Sequence, residues 1–267
     1  MEANKNSKKL MFGRPKSVFD SETVFCPGCQ HPTVMRIISE VIDELEIQGE
    51  VIGIGGVGCH FFTTLYMNVD FVQALHGRSP SVATGIKRAS LLKTTPFDPI
   101  VFTVQGDGDL AAIGMGDIIN AVVRGEKFTT FFFNNSGYGT TGGQMAPTTL
   151  IGQTTTTTPL GRTEEREGFP VHMAELLASF PGVVYSARCA LNSHANYNRT
   201  KKAVKTAFKK QIDGVGFSIV EILSVCPSTL KKKPIDALKW FEDHMLKEYP
   251  LGVFKDAEKA AVEYKVA

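Results

Sequence analysis

Short, continuously apolar runs alternate with stretches of helical periodicity along most of this chain, and that alternation limits its fold more than any other feature. Val51 to Ile54 (VIGI), Ile100 to Val104 (IVFTV), Thr129 to Phe133 (TTFFF) and Phe217 to Leu223 (FSIVEIL) have strand length, β-branched and aromatic content, and little of the polar alternation of a half-exposed strand. Thr33 to Ile47, Val82 to Lys93, Ala111 to Val123 and Ala195 to Gln211 carry apolar residues at helical spacing. Strands covered on both faces and connected through helices form parallel sheets, because a parallel connection must cross over. The sequence therefore predicts an α/β protein with a doubly wound, mostly parallel sheet. No internal repeat is present.

Two segments break the rhythm. Thr149 to Arg162 (TLIGQTTTTTPLGR) is polar and threonine-rich. It reads either as a mobile surface loop or as an active-site loop, since it follows the most motif-dense part of the chain. From Lys231 onward, KKKPIDALKWFEDHMLKEYPLGVF reads as one amphipathic helix with an irregular end. The expected organisation is a main domain over 1–230 and a C-terminal helical extension over 231–267 that packs on the domain or on a partner.

Twenty-nine Lys and Arg against 27 Asp and Glu leave a net charge of +2, with no overall basic footprint for nucleic acid. No apolar run approaches the ~18–20 residues needed to span a bilayer. The start, MEANKNSKKLMFGRP, is basic but lacks the apolar core and cleavage site of a secretory signal. A cytoplasmic protein, with no nucleic acid or membrane partner, is expected. Five cysteines, at 26, 29, 59, 189 and 226, form an odd set. A reducing compartment keeps them as thiols, so they point to metal or redox chemistry.

The strand IVFTV runs directly into Gln105-Gly106-Asp107-Gly108-Asp109. In a doubly wound sheet, ligands sit beyond the carboxyl ends of the strands, and glycines on both sides of an acid let backbone approach a phosphate closely. The acid would repel that phosphate unless a divalent cation lay between them, so Asp107 reads as a Mg²⁺ ligand. The strand TTFFF ends in Asn134-Asn135-Ser136-Gly137-Tyr138-Gly139. Its asparagine oxygens meet Asp107 if the two strands are neighbours. GDGD, an intervening helix and apolar strand, and then NN, with Asn135 28 residues after Asp107, resembles the thiamine diphosphate motif. Gly53-Ile54-Gly55-Gly56-Val57-Gly58 also fits the dinucleotide pattern G-x-G-x-x-G. A cysteine follows it at once and Asp70 is the only nearby acid, so these glycines are read as bringing backbone close to thiamine or to a cluster, not to a nicotinamide.

Cys26-Pro27-Gly28-Cys29 is a turn able to point both sulfurs at one centre: half a zinc site, a redox dithiol or the corner of a cluster. Cys59 and Cys226 each follow a predicted strand, where loops at one sheet edge converge. Four thiolates suit a [4Fe–4S] cluster, and spacing alone leaves zinc equally open.

The order of motifs is similar to the beta subunits of 2-oxoacid:ferredoxin oxidoreductases from Cys26 to about Pro227. It runs CPGCQH, then GVGC, then His76-Gly77-Arg78 with Ala83-Thr84-Gly85, then GDGD, then YGTTGGQ from Tyr138, and finally LSVCP ending at Pro227. The ending PLGVFKD looks like the branch that uses 2-oxoisovalerate and 2-oxoglutarate. This resemblance implies a thiamine-diphosphate-binding fold and a catalytic subunit for oxidative decarboxylation of a 2-oxo acid to acyl-CoA and CO₂. It implies Cys26, Cys29, Cys59 and Cys226 as ligands of a [4Fe–4S] cluster. Asp107, Asn135 and the Gly137 carbonyl would hold Mg²⁺. Val57, Gly58, Cys59, His60, Gly108, Asp109, Gly139 and Thr140 would contact thiamine diphosphate.

His76 is read as a polar contact to cofactor or substrate, and Arg78 as an anion contact, a structural salt bridge being the alternative. His31 stays undecided; His172, His194 and His244 are expected to be ordinary surface or helix residues, and Cys189 a core thiol. The basic helix with Lys201, Lys202, Lys205, Lys209 and Lys210 is read as a solvated face, docking of an acidic ferredoxin there being the other reading. The implied partners are an alpha subunit with the pyrimidine domain and its activating glutamate, a gamma subunit, a ferredoxin-like delta subunit, ferredoxin, coenzyme A and the 2-oxo acid. Where relatives carry small or basic residues after the third cysteine, this chain has His60-Phe61-Phe62. That favours an apolar, branched-chain 2-oxo acid, with 2-oxoglutarate or pyruvate as alternatives. The competing classes are a non-oxidative thiamine decarboxylase or carboligase subunit, which iron content would separate, and an iron–sulfur electron-transfer module, which thiamine analysis would separate.

Overall fold

The computed structural model describes residues 13–92 and 97–260. Seven strands form one sheet: β1 (Val51–Gly55), β2 (Asp70–Gln73), β3 (Ile100–Gly106), β4 (Thr129–Asn134), β5 (Val183–Ala190), β6 (Phe217–Leu223) and β7 (Gly252–Asp256). Their order is β2-β1-β3-β4-β6-β5-β7. All neighbours are parallel except β7, which runs antiparallel to β5. From β1 the chain moves outward to β2, then returns past β1 to form β3 and goes on to β4. The winding thus reverses between β1 and β3, and the loops leaving these two strands diverge. A crevice at that point is where open α/β sheets bind ligands.

The helices are α1 (His31–Leu45), α2 (Thr63–Tyr66), α3 (Ser79–Ser90), α4 (Met115–Val123), α5 (Glu164–Glu167), α6 (Met173–Ala178), α7 (His194–Ile212), α8 (Pro227–Leu230) and α9 (Pro234–Trp240). Strand side chains alternate faces, and two cores result. Phe102, Val104, Phe131, Phe133, Val220 and Ile222 pack with α1 and α7. Val101, Phe132 and Ile219 pack on the other face with residues of α3, α4 and α6. The continuous apolar strands of the sequence are the consequence of this double cover. Among the described residues no helix is long and apolar enough to cross a membrane.

The helices expected from periodicity are present with shifted ends. α3 begins at Ser79, with Pro80 in its first turn, where proline's missing N–H is no loss. The expected end of that helix at Lys93 lies outside the described residues. α4 begins at Met115 because Asp109–Ile113 forms a separate, wider helical turn ahead of it.

Besides β7 near the end of the chain, two strands lie where none is legible in the sequence. β2 is a mostly exposed edge. β5 is buried along its whole length although it contains Tyr185, Ser186 and Arg188. The Arg188 guanidinium is fully buried and donates to Glu221 at 3.0 Å, to Glu175 at 2.7 Å and to the Pro250 carbonyl at 3.1 Å. The rings of Tyr249 and Phe254 lie 5.1 and 5.0 Å from it. An arginine in a central strand is tolerable only with this full set of acceptors.

Beyond Lys231, in place of the expected helix with an irregular end, the chain forms α9, a further helical turn, and strand β7. Ala237, Phe241, Met245 and Tyr249 bury against Leu150, Leu223 and Val225. β7 escapes a periodicity search because it pairs on one side only and stays partly exposed.

Arg188→Ala would leave the Glu221 carboxylate buried without its cation, and the expected loss is roughly 3–5 kcal/mol in urea unfolding. Arg188→Met combined with Glu221→Gln should lose clearly less, because the fully buried charge of Glu221 goes with the arginine and only the part-exposed Glu175 is left without it. Equal losses for the single and double variants would contradict this account.

Candidate cofactor-binding site

A hollow opens at the carboxyl ends of β1, β3 and β4, at the reversal of winding. Its wall contains Val57 to His60 after β1, His76 after β2, Gly106 to Asp109 after β3, and Phe133, Asn135 and Gly137 to Thr141 after β4, with His31 at the start of α1. Of the residues expected in the site, Arg78 is the one placed elsewhere outside the cysteine loops. Its guanidinium reaches Asp117 at 2.6 Å on the surface, so the salt-bridge alternative holds. Phe61 and Phe62 also lie outside the wall. Phe62 packs against the core and edge-on to Phe25, with ring centres 5.8 Å apart, so these rings do not shape the hollow as expected.

Asp107 is 3% exposed. Its carboxylate accepts from the Asn135 backbone N–H at 3.1 Å and from the Thr148 hydroxyl. The Asn135 side-chain amide stands 2.8 Å from the Gly137 carbonyl and 3.0 Å from Asp107 Oδ2. With its nitrogen inward it donates to both. With its oxygen inward, that oxygen and each of its two neighbours stand at about the spacing of an octahedral edge, ~3.0 Å for ligands ~2.1 Å from Mg²⁺. Burial pushes the Asp107 carboxyl up to about 7, against the hydrogen bonds from Thr148 and Asn135. A carboxylate so placed is an acceptor for a cation.

The turn that carries Asn135 is held from several sides. Ser136 has φ +59°, uncommon for a residue with a side chain. Asn134 Oδ1 accepts its N–H at 3.1 Å, while Thr149 and Gln153 donate to its carbonyl at 2.7 and 3.1 Å. Asn134 Nδ2 donates to Glu221 at 2.7 Å, which joins the turn to the buried Arg188 pair. The threonine-rich stretch is therefore not a mobile surface loop; it supports the site turn through Thr149 and Gln153. Buried Arg162 donates to the carbonyls of Pro147, Gly168 and Phe169 at 3.0, 2.9 and 2.6 Å, tying the stretch down as a shelf behind the site. Thr148, Thr149 and Gln153 were not legible as site residues, since no motif connects them to Asp107.

Asp109 is a clasp between loops. Its Oδ1 accepts from Gly77 N at 2.7 Å and Val57 N at 3.2 Å and lies 3.1 Å from His76 Nδ1. Gln105 donates to its Oδ2 at 3.0 Å. The loops after β1, β2 and β3 are joined through this one carboxylate. A Cβ on Gly56 would lie 2.1 Å from it, so only glycine fits there.

His60 is buried against Gly58 and Gly106. Burial outweighs the nearby Asp109 charge and holds the His60 imidazole down to about 4; burial, with His60 adding to it, takes His31 to about 3. Both are neutral at ordinary pH. His60 Nε2 and both ring nitrogens of His31 have no hydrogen-bond partner.

Of the cysteines, Cys59 lines the hollow, and the turns of the other three gather around it. Cys29 N–H closes the CPGC turn on the Cys26 carbonyl at 3.0 Å. Gln30 straps that turn to Val225, whose N–H donates to its side-chain oxygen at 2.9 Å. Thr140 Oγ1 lies 3.0 Å from Cys59 Sγ, and Thr229 Oγ1 donates to Cys226 Sγ at 3.0 Å. A Cβ on Gly139 would be 3.5 and 3.6 Å from these two sulfurs. Burial raises the Cys29 thiol to about 12, and the fields of Cys226, Cys59 and Cys26 add to it; the four sulfurs thus share one neighbourhood. Among the described residues no three His, Cys, Asp or Glu side chains are close enough to hold a single ion. Cys189 stands apart in β5, its thiol raised to about 12 by burial, as expected of a core thiol.

Residues 56–222 match the family described as thiamine pyrophosphate enzyme, C-terminal TPP binding domain. The ketoisovalerate oxidoreductase subunit VorA of Methanothermobacter thermautotrophicus is 42% identical over 92% of this chain and 50% of its own length. The 2-oxoglutarate synthase subunit KorB of Methanocaldococcus jannaschii is 34% identical over 84% of this chain and 78% of its own. A solved 2-oxoglutarate:ferredoxin oxidoreductase from Magnetococcus marinus, with 2-oxoglutarate, coenzyme A and succinyl-CoA bound, superposes with a TM-score of 0.76 at 25% identity. That match covers 94% of this chain and 87% of the other. The chain belongs to the thiamine pyrophosphate enzymes and, among them, to the 2-oxoacid oxidoreductase subunits. It spans half the length of the VorA relative.

Asp107→Asn is expected to abolish Mg²⁺-dependent binding of thiamine diphosphate in calorimetry while the thermal transition stays cooperative. Full affinity in that variant would exclude Asp107 as the metal-holding group. In the metal-free chain, exposed Cys26 should react with a thiol reagent at once and buried Cys189 only on unfolding. Mass-mapped labelling at mildly alkaline pH reads both.

Proposed function

We propose that this chain is the catalytic subunit of a coenzyme A-acylating 2-oxoacid:ferredoxin oxidoreductase that acts on a branched-chain 2-oxo acid. The net reaction takes a 2-oxo acid anion and coenzyme A to acyl-CoA, CO₂, one proton and two electrons. The observation that carries this reading is one hollow lined by the Asp107 carboxylate, the Asn135 amide, the Gly137 carbonyl and Cys59, with the other three thiols in the neighbourhood of Cys59.

Thiamine diphosphate, when bound, supplies a nucleophilic carbon for the 2-oxo group and takes up the electrons left by departing CO₂. Asp107 and Asn135 side chains and the Gly137 carbonyl would hold Mg²⁺, with the charge of Asp107 balanced by the cation. A [4Fe–4S] cluster on Cys26, Cys29, Cys59 and Cys226 would supply one-electron storage. Thiols too widely set for one ion, yet within each other's field, favour this cluster over zinc. Burial raises the Cys59 thiol and the Thr140 hydroxyl beside it opposes that rise, while Thr229 donates to the Cys226 sulfur. Neutral His31 and His60 line the wall without adding charge, and Asp109 sets the spacing of the loops against which the cofactor would lie.

Val57, Leu75 and Ile113 are exposed around the hollow, and an apolar rim of this kind suits an interface. A pyrimidine-domain partner fits there and would bring the glutamate that activates the aminopyrimidine. Ferredoxin-linked gamma and delta subunits complete the proposed complex, and thiols kept reduced suit a cytoplasmic setting. The substrate follows the relatives: identity is 42% and 43% to two ketoisovalerate subunits and 34% to a 2-oxoglutarate one.

The test is 2-oxoacid-dependent viologen reduction without oxygen and with coenzyme A, using the chain co-expressed with its partners. The complex should be active, prefer 2-oxoisovalerate to 2-oxoglutarate, and lose activity when the partner is omitted. Equal kcat/KM for the two acids would overturn the substrate assignment, and turnover by the isolated chain would overturn the division of roles. Iron and acid-labile sulfide should be absent from Cys26→Ser and Cys226→Ser and unchanged in Cys189→Ser. One zinc without sulfide would overturn the cluster.

A further inference from the structure

We propose that Lys231, Lys232 and Lys233, beside the Cys26–Cys29 turn, form the docking surface for an acidic one-electron carrier protein. The proposal rests on the reading that the four cysteines hold a cluster, and adds where its electrons leave.

The position follows from two prolines. α8 separates Cys226 from Lys231 by a single turn, and α9 begins at Pro234. A Cβ on Gly28 would lie 2.6 Å from Pro234 Cβ and 3.2 Å from Pro227 Cγ. Both ends of the segment therefore rest on the CPGC turn, and the three lysines between them stand next to it. Lys231 takes a left-handed conformation, φ 52°, with its N–H on the Ser228 carbonyl, and Lys232 N–H bonds the Pro227 carbonyl at 3.1 Å. The backbone thus holds the triplet in place. Cys26 is itself exposed, so the thiols reach the surface here.

The charge is free to act at a distance. All three lysines are exposed, and none enters an ion pair with another described residue. With Lys239 they line a shallow hollow whose acids are Asp236 and Asp243, so cations prevail there. Of the acids that precede Cys26 in the chain, Asp20 pairs with Arg14. Ile235, 73% exposed, supplies an apolar centre beside the triplet. A small apolar centre with a charged rim suits a transient electron-transfer contact, in which rim charges set the encounter rate more than the affinity.

The more conspicuous basic element is α7, and it fits less well. Lys201 reaches Glu40 and Glu44 at 2.8 and 2.7 Å, Lys205 reaches Glu44 at 2.8 Å, and Lys210 reaches Asp256 at 2.8 Å. Its charge is largely neutralised by α1 and β7. Each encounter at the triplet would move one electron from the reduced cluster to the oxidised carrier, and two encounters would accept the pair released per 2-oxo acid.

The experiment uses the whole complex with an acidic ferredoxin as probe and methyl viologen, a small dication, as the acceptor that needs no docking. Lys231→Glu/Lys232→Glu/Lys233→Glu should lower kcat/KM for ferredoxin by about tenfold or more at low salt and flatten its salt dependence. Viologen reduction and iron content should be unchanged, and ferredoxin carrying redox-inert gallium should no longer show line broadening in a magnetic resonance titration. The Lys→Gln triple variant should fall between, which keeps the test valid if the glutamates impair folding. Lys202→Glu/Lys209→Glu on α7 should behave as wild type. Unchanged ferredoxin binding and kinetics in both triple variants, or a loss confined to the α7 variant, would overturn the docking site while leaving the cluster. An iron-free wild-type complex would overturn both.

Discussion

The parallel register of β3 against β4 is the constraint on which the site depends. Gly106 pairs with Phe133, so the two strands release their chains at the same height, and Asp107 and Asn135 emerge side by side. A shift of one residue would turn the alternating side chains of β4 to the wrong layers and carry Asn135 away from Asp107. The two cores on either side of the sheet therefore fix more than stability. They hold two oxygen-bearing turns, distant in sequence, within hydrogen-bond range.

Holding an acid there has consequences that spread through the fold. Asp107 is buried, and its proton affinity is raised accordingly. Around it the structure has invested in positioning: Thr148 and the Asn135 N–H face the carboxylate, and the strained Ser136 is held by Asn134, Thr149 and Gln153. Behind Asn134 lies a second buried acid, Glu221, whose pKa burial raises and Arg188 opposes. Arg188 in turn contacts Tyr249 and Phe254, and Tyr249 donates to the Thr148 carbonyl at 2.6 Å. The C-terminal segment is thus part of the support of the site, two contacts removed from Asp107.

The other end of the hollow follows a different logic. The thiols sit on short turns that belong to three separate places in the chain, and polar side chains join those turns: Gln30 to Val225, Thr140 to Cys59, Thr229 to Cys226. Neutral imidazoles of His31 and His60 line the same hollow. Hydroxyl donors near sulfur and uncharged imidazoles in the wall both suit a site in which charge moves.

The sequence by itself determined the class of fold, because continuous apolar strands between helical periods admit a parallel sheet and little else. It also determined the reactive groups: GDGD, NN and CPGC are local, and their chemistry is legible at fixed spacing. Tertiary structure decided how those groups are used. Asp109, expected to meet the cofactor, joins three loops, because Gly77, Val57 and Gln105 converge on it from separate strands. Arg78 is drawn to Asp117 on α4, and the lysines of α7 to the acids of α1. β5 was hidden by an arginine whose partners lie 13 and 33 residues away. A one-dimensional pattern reports what a residue prefers locally. Which charge meets which is set only when the sheet brings distant turns together, since ion pairing and hydrogen bonding act over a few ångströms of space and not along the chain.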